Sequence, residues 1–179
     1  EKKKVKEKII SVINQKGGVG KTTTVINLAA GLSLNGKKIL VIDLDPQGNA
    51  TTGLGLSNVA DTTKTIYGVL NGKEEIQGSI QKTNFQNLDI VTSNVDLSGL
   101  EVETADDENR AYLLKIKLTS YLNNSSHSYD YVLIDCPPSL SLLTVMALVA
   151  SDSLVVPLQT EFFALEGITQ LIKTIDRIK

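Results

Sequence analysis

Asn14-Gln15-Lys16-Gly17-Gly18-Val19-Gly20-Lys21-Thr22-Thr23-Thr24 follows the apolar run Ile9-Ile10-Ser11-Val12-Ile13 and leads into a helical pattern, and this junction decides the fold. A strand, a glycine-rich loop and a helix in that order form a phosphate cradle. Gly17, Gly18 and Gly20 let the backbone turn tightly and bring N–H groups up to phosphate oxygens. The positive end of the helix faces the same point. Lys21 is placed to reach the β- and γ-phosphates of ATP, and the Thr22 hydroxyl to ligate Mg²⁺. The nucleotide-binding segment therefore runs from Lys16 through Val19 to Thr23. The usual spacing, G-x-x-x-x-G-K-[ST], asks for glycine at position 15, where this chain has Gln15. The string present is K-G-G-V-G-K-T, with an additional lysine, Lys16. Two readings of Lys16 stay open: a solvated loop lysine, or a group that reaches across a dimer interface to a second ATP and neutralises charge in transfer.

The chain of 179 residues suits one domain with a real core, and 41% hydrophobic and 21% charged residues are ordinary for a soluble globular protein. A formal net charge of −2 argues against a basic nucleic-acid surface over the whole chain, though not against a local patch. The single cysteine, Cys136, makes no internal disulfide and no multi-cysteine metal site, and reads as a packed thiol. No apolar stretch approaches the ~18 residues of a membrane span, and the charged start from Glu1 to Lys8 lacks the apolar region of a signal peptide. A cytoplasmic protein is expected. The Lys2-Lys3-Lys4 cluster reads as a solvated tail, and His127, the lone histidine, receives no role.

Outward from the loop, short β-branched runs alternate with helical patterns. Strands are predicted at Ile9–Ile13, Ile39–Ile42, Leu88–Val91, Tyr131–Ile134 and Leu154–Val156. All are apolar without strict alternation, as in a parallel sheet buried on both faces. Val25, Leu28, Ala29 and Leu32 predict a helix that stops at Gly36. Ala111, Leu114, Leu118, Tyr121 and Leu122 predict another, with Asp106-Asp107-Glu108 as its acidic N-terminal turn. A third, Leu140 to Ala150, is apolar nearly all round. The fold class expected is α/β: a mostly parallel sheet flanked by helices on both faces, in one domain over residues 1–179. Residues 52–87 are the least legible. An apolar stripe from Leu165 through Ile168, Leu171, Ile172 and Ile175 to Ile178 runs to the final residue without a stop signal, so a C-terminally shortened chain is expected.

Acidic residues sit at two strand ends, on the rim where ligands bind in open α/β sheets. In Asp43-Leu44-Asp45-Pro46-Gln47-Gly48-Asn49, Asp45 is the candidate for orienting the attacking water, and Asp43 for supporting the Mg²⁺ shell. Tyr131-Val132-Leu133-Ile134-Asp135 ends in a single acid, which fits a carboxylate acting on Mg²⁺, usually through water. Cys136-Pro137-Pro138-Ser139 follows as a rigid turn.

Three segments in order, Asn14 to Thr24, Asp43 to Thr51 and Asp135 to Ser139, resemble the ParA/Soj partition ATPases of the deviant-Walker-A group, from about Ile9 to the end of the chain. The resemblance implies a P-loop NTPase fold and ATP-dependent sandwich homodimers. It implies Lys16 as the cross-dimer lysine, Lys21 as the Walker lysine and Asp45 as the hydrolytic aspartate. It also implies chromosome or plasmid segregation on nonspecific DNA, in the nucleoid, with slow hydrolysis stimulated by a ParB-type centromere-binding protein. Only eight residues precede the first strand, which matches the short Soj-like form without an N-terminal helix-turn-helix domain. The family's C-terminal strands and much of its DNA-binding surface are expected to be missing.

Three other classes share parts of this pattern. A membrane-recruited division-site ATPase of the MinD type would carry a C-terminal amphipathic helix; Pro46-Gln47-Gly48-Asn49 resembles the partition branch instead. An iron–sulfur reductase needs cysteines that this chain lacks. A nonhydrolysing module, in which ATP only gates assembly, would differ in phosphate release.

Overall fold

The computed structural model describes residues 8–13, 18, 20–56, 61, 63–124, 129–158, 169, 172–173 and 175–177. Lys16, Gly17, Val19, the Lys2-Lys3-Lys4 cluster, His127 and most of the stripe from Leu165 to Ile178 lie outside the described residues. The strands are β1 (Lys8–Val12), β2 (Ile39–Asp43), β3 (Ile80–Lys82), β4 (Leu88–Val91), β5 (Tyr131–Asp135) and β6 (Ser153–Val155). The helices are α1 (Lys21–Leu34), α2 (Asn49–Gly53), α3 (Ile66–Leu70), α4 (Ile76–Ser79), α5 (Leu100–Glu103), α6 (Leu113–Asn124) and α7 (Leu142–Ala150).

The strands form one sheet in the order β3-β4-β2-β5-β1-β6. Every pairing is parallel except β3 with β4. From β1 the chain crosses over β5 to β2; from β5 it crosses over β1 in the opposite direction to β6. The carboxyl ends of β1, β2 and β5 therefore gather where the direction of winding reverses, the place where open α/β sheets hold ligands. The register puts Val12 and Asp43 on either side of Asp135.

All five predicted strands are present, and the central ones, β2, β4 and β5, are buried on both faces. Leu40 and Ile42 of β2 pack on one side with Leu114, Leu118, Met146 and Ala147 of α6 and α7. Ile39 and Val41 pack on the other with Val25 and Ala29 of α1. A strand clamped between two helical layers has no solvent face and so shows no alternation. Helix α1 ends as its sequence predicts. Gly36 adopts φ +77°, its N–H donates to the Ser33 carbonyl at 3.0 Å, and the Lys37 N–H donates to the Leu32 carbonyl at 3.1 Å. That pair of bonds closes the helix around a left-handed residue, which glycine adopts without strain.

Two expectations need correction. Asp106, Asp107 and Glu108 do not form the first turn of α6, which begins at Leu113 after a 3₁₀ turn at Arg110–Tyr112. Asp107 instead closes the preceding turn: its Oδ1 accepts the Asn109 N–H at 2.8 Å. Short acidic side chains bond readily to backbone two residues on, and that local bond competes with helix formation. The second correction is β3, inside the stretch that carried no strand prediction. It is three residues long and only Ile80 is apolar, so it gives no periodic signal. Its Lys82 reaches back to Asp89 of β4 at 2.8 Å, and Asp89 also accepts the Tyr129 hydroxyl at 2.7 Å.

Helix α6 turns Leu114, Leu118, Tyr121 and Leu122 inward and leaves Ile116 54% exposed. Leu114→Ala is expected to destabilise the fold by ~2–5 kcal/mol through lost burial and a residual cavity. Ile116→Ala is expected to stay within ~0.5 kcal/mol. Urea unfolding of both variants checks the orientation, and equal losses would contradict it.

Candidate functional site

The loop after β1 reaches α1 through Gly18 and Gly20, both with φ near +76°. Neither glycine has a neighbour within 4 Å of where a Cβ would stand, so backbone conformation rather than crowding demands glycine. Gly20 caps α1 without any side-chain bond, and the first turn carries no acid. The helix thus presents its free amides and its positive end to a cavity of about 340 Å³. Gly18, Gly20, Lys21, Thr22, Thr23 and Asp45 line that cavity, together with Asn49 and Pro138.

Asp135, at the end of β5, is fully buried. Its Oδ1 lies 3.1 Å from the Lys21 ammonium, and its Oδ2 accepts the Thr22 hydroxyl at 2.9 Å. Burial raises the Asp135 pKa above the usual carboxylate range, while the Lys21 charge and the two hydrogen bonds oppose that rise. Three of the residues singled out in the sequence thus come together, Lys21 and Thr22 on the Asp135 carboxylate. A hydroxyl beside a carboxylate is a hard-oxygen pair of the kind Mg²⁺ takes.

Asp45 borders the same cavity and is held by its own loop. Its Oδ1 accepts the Gln47 N–H at 3.0 Å, and its carbonyl accepts the Gly48 N–H at 2.9 Å. Asp43 does not line the cavity. It is fully buried, and both carboxylate oxygens face its own loop. Oδ1 accepts the Asp45 N–H at 3.1 Å; Oδ2 accepts the Thr51 N–H at 2.8 Å and the Thr51 hydroxyl at 2.7 Å. Burial pushes the Asp43 pKa up to about 7, the Thr51 hydroxyl bond opposes it, and the neighbouring Asp135 charge adds to it. Lys16, Gly17 and Val19 lie outside the described residues. Cys136 is fully buried, and burial raises its thiol pKa, as befits a packed side chain. Among the described residues, no cluster of three His, Cys, Asp or Glu side chains has a metal-binding arrangement, and no helix is long and apolar enough to cross a membrane.

Asn49 and Thr51 carried no role in the sequence reading, and Pro138 only that of a rigid turn. Asn49 and Pro138 line the cavity, and Thr51 holds Asp43. Asn49 and Thr51 sit inside the Asp43-to-Thr51 segment, and their places in it were the available signal.

Residues 7–179 match the family described as AAA domain. The chain is 48% identical over 172 residues to the chromosome partitioning protein ParA of Caulobacter vibrioides (strain NA1000 / CB15N), covering 96% of this chain and 63% of that protein. It is 48% identical over 168 residues to the sporulation initiation inhibitor protein Soj of Bacillus subtilis (strain 168), covering 94% of this chain and 64% of that one. Among solved structures, a plasmid partition protein from Borrelia burgdorferi superposes with a TM-score of 0.85 at 32% identity, over 97% of this chain and 74% of that chain. Cobyrinic acid a,c-diamide synthase from Mycobacterium smegmatis, with bound ADP and magnesium, gives a TM-score of 0.88 at 36% identity, over 97% and 68% of the two chains.

A carboxyl whose folded pKa is raised contributes stability below its unfolded pKa and loses it as pH rises through the folded value. For Asp43 that window runs from 3.8 to about 7. Without nucleotide or metal, the urea midpoint is expected to fall as pH rises from 5 to about 7.5, and Asp43→Asn is expected to flatten that part of the profile. A midpoint that rises across this range in the parent protein and is unaffected by Asp43→Asn would contradict the assignment.

Proposed function

We propose, from the premise that this chain belongs to the ParA/Soj family of AAA-domain proteins, that the protein is a Mg²⁺-dependent ATPase whose ATP-bound form is a homodimer and whose slow hydrolysis drives partition of chromosomal or plasmid DNA. The observation that carries this reading is the meeting of Lys21 and Thr22, which line a glycine-walled cavity that Asp45 also borders, on the buried Asp135 carboxylate. The Mycobacterium neighbour, which holds ADP and magnesium, supports the choice of nucleotide and metal. The match to the Caulobacter relative takes in 96% of this chain.

In the proposed mechanism the loop amides from Lys16 to Thr23 bind the phosphates, and Lys21 neutralises charge on the β- and γ-phosphates. Thr22 and Asp135 would hold Mg²⁺, and Asp43 supports that shell from behind by fixing the loop that follows it. The metal supplies charge neutralisation on the phosphate oxygens. Asp45 orients the attacking water and accepts its proton as the γ-phosphoryl group leaves in line. Lys16 gains a charge partner across the dimer only when a γ-phosphate is present, so ATP binds the dimer more tightly than the monomer and shifts the population towards it.

The dimer binds DNA without sequence preference, through phosphate contacts that weaken with salt. A ParB-type centromere-binding protein stimulates turnover, and the protein works in the cytoplasm on the nucleoid. Residues 1–179 act as one P-loop domain.

In the intact gene product, Asp45→Ala is expected to keep ATP binding and to lower turnover by at least ~100-fold in a phosphate-release assay, the scale of a lost general base. Lys16→Ala is expected to retain nucleotide binding while losing the ATP-dependent dimer in sedimentation. Wild-type turnover in the first variant removes Asp45 from the chemistry, and an unchanged dimer in the second removes Lys16 from the interface.

A further inference from the structure

The loop that carries Asp45 is tied down at its far end by Thr51, whose backbone N–H and hydroxyl both donate to Asp43 Oδ2. Thr51, in α2, is 5% exposed. Its hydroxyl donates to Asp43 Oδ2 at 2.7 Å and accepts the Ser93 N–H at 3.0 Å. The same Asp43 carboxylate holds the Asp45 N–H through its other oxygen. The chain of contacts therefore runs from the segment after β4, through Thr51, through Asp43, to the backbone of Asp45. Each link is buried, where hydrogen bonds are electrostatically stronger than in water and a missing partner is costly.

Thr51 and Asp45 border different cavities. Asp45 faces the glycine-walled one. Pro46, Gln47, Thr51, Ser93 and Val95 line a second cavity of about 370 Å³. Backbone bonds from the Gly48 N–H to the Asp45 carbonyl and from the Thr52 N–H to the Gly48 carbonyl shape the turn and the start of α2, but a helix of five residues is marginal by itself. The Thr51 hydroxyl joins this segment to Asp43 at the end of β2 and to the Ser93 amide just beyond β4.

We propose that Thr51 is a positioning residue for hydrolysis, latching the Asp45 loop to β2 and to the end of β4. This rests on the reading of Asp45 as the group that orients water. A hydroxyl is required because one atom must donate to a carboxylate and accept from an amide at once. Serine does both; valine has nearly the shape of threonine and does neither.

Three measurements test the latch in the intact gene product. Steady-state ATP hydrolysis is measured for Thr51→Val, Thr51→Ser and Asp45→Ala, with nucleotide affinity measured separately. Thr51→Val is expected to lower kcat on the order of 10²-fold, the scale of a catalytic group misplaced by about 1 Å. KM and nucleotide affinity are expected to stay unchanged, and Thr51→Ser to restore kcat. Amide hydrogen exchange without nucleotide is expected to quicken at Asp45, Gln47 and Gly48 in Thr51→Val but not in Thr51→Ser. In the parent protein, the Ser93, Thr51 and Asp45 amides are expected to exchange together as one unit, a readout that needs no variant to fold.

Full turnover in Thr51→Val beside an inactive Asp45→Ala would overturn the latch and leave the role of Asp45 standing. Normal turnover in Asp45→Ala would instead sink the reading of Asp45. Exchange would then decide the latch alone: unaltered rates in Thr51→Val, or a Ser93 amide that exchanges independently of Asp45, would overturn it.

Discussion

Asp135 places a full carboxylate out of water at the end of a central strand, and the two nearest groups that satisfy it come from the first two residues of α1. Lys21 is itself only 7% exposed. Removing one member of such a buried pair leaves the other uncompensated, at a cost of about 3–5 kcal/mol. The pair therefore does more than balance charge. It pins the start of α1 to β5, while the Leu44 N–H on the other side donates to the Asp135 carbonyl at 2.8 Å and the Cys136 N–H reaches back to the Val12 carbonyl at 3.3 Å. The ends of β1, β2 and β5 are thus laced around one residue, and the glycine-walled cavity takes its shape from that lacing. On the proposed function, a phosphate would answer the Lys21 charge and a divalent cation the Asp135 charge, so the residues that secure the fold are those that grip the ligand.

Much of this was legible in the sequence, for identifiable reasons. A strand buried on both faces has few residue types open to it, so Ile39 to Ile42 and Tyr131 to Ile134 announce themselves by composition. Gly36 announces the end of α1 because only a left-handed residue closes a helix in that way. Lys21, Thr22 and Asp135 were readable because a short loop between strand and helix fixes the first two, and the last sits at the first acid after an apolar run.

What escaped the sequence depends on partners far along the chain or on very short elements. The three residues of β3 become a strand only because β4 offers a free edge. Asp106 to Glu108 were read by charge alone, whereas turn chemistry claimed them before the helix began. Thr51 looked like one threonine among several. Its importance comes from Ser93, 42 positions away, and no local pattern encodes that meeting. Asp43 shows the same limit: its position at a strand end is visible in the sequence, but the direction its carboxylate faces is decided by Thr51.

The two margins of the sheet differ in kind. On one, β3 runs against the grain of its neighbours, stops after three residues, and carries Lys82, 84% exposed along its side chain, bent back onto Asp89. Such a margin discourages any further strand from docking, because a short, charged rim offers a newcomer few backbone partners. On the other, β6 lies parallel to β1 with half-covered Leu154 and Val155, and among the described residues nothing pairs with its outer side. The two flanks therefore differ in polarity of backbone as well as in length: the β3 rim is short, charged and reversed, whereas β6 keeps the direction of the strands that end at Asp43 and Asp135.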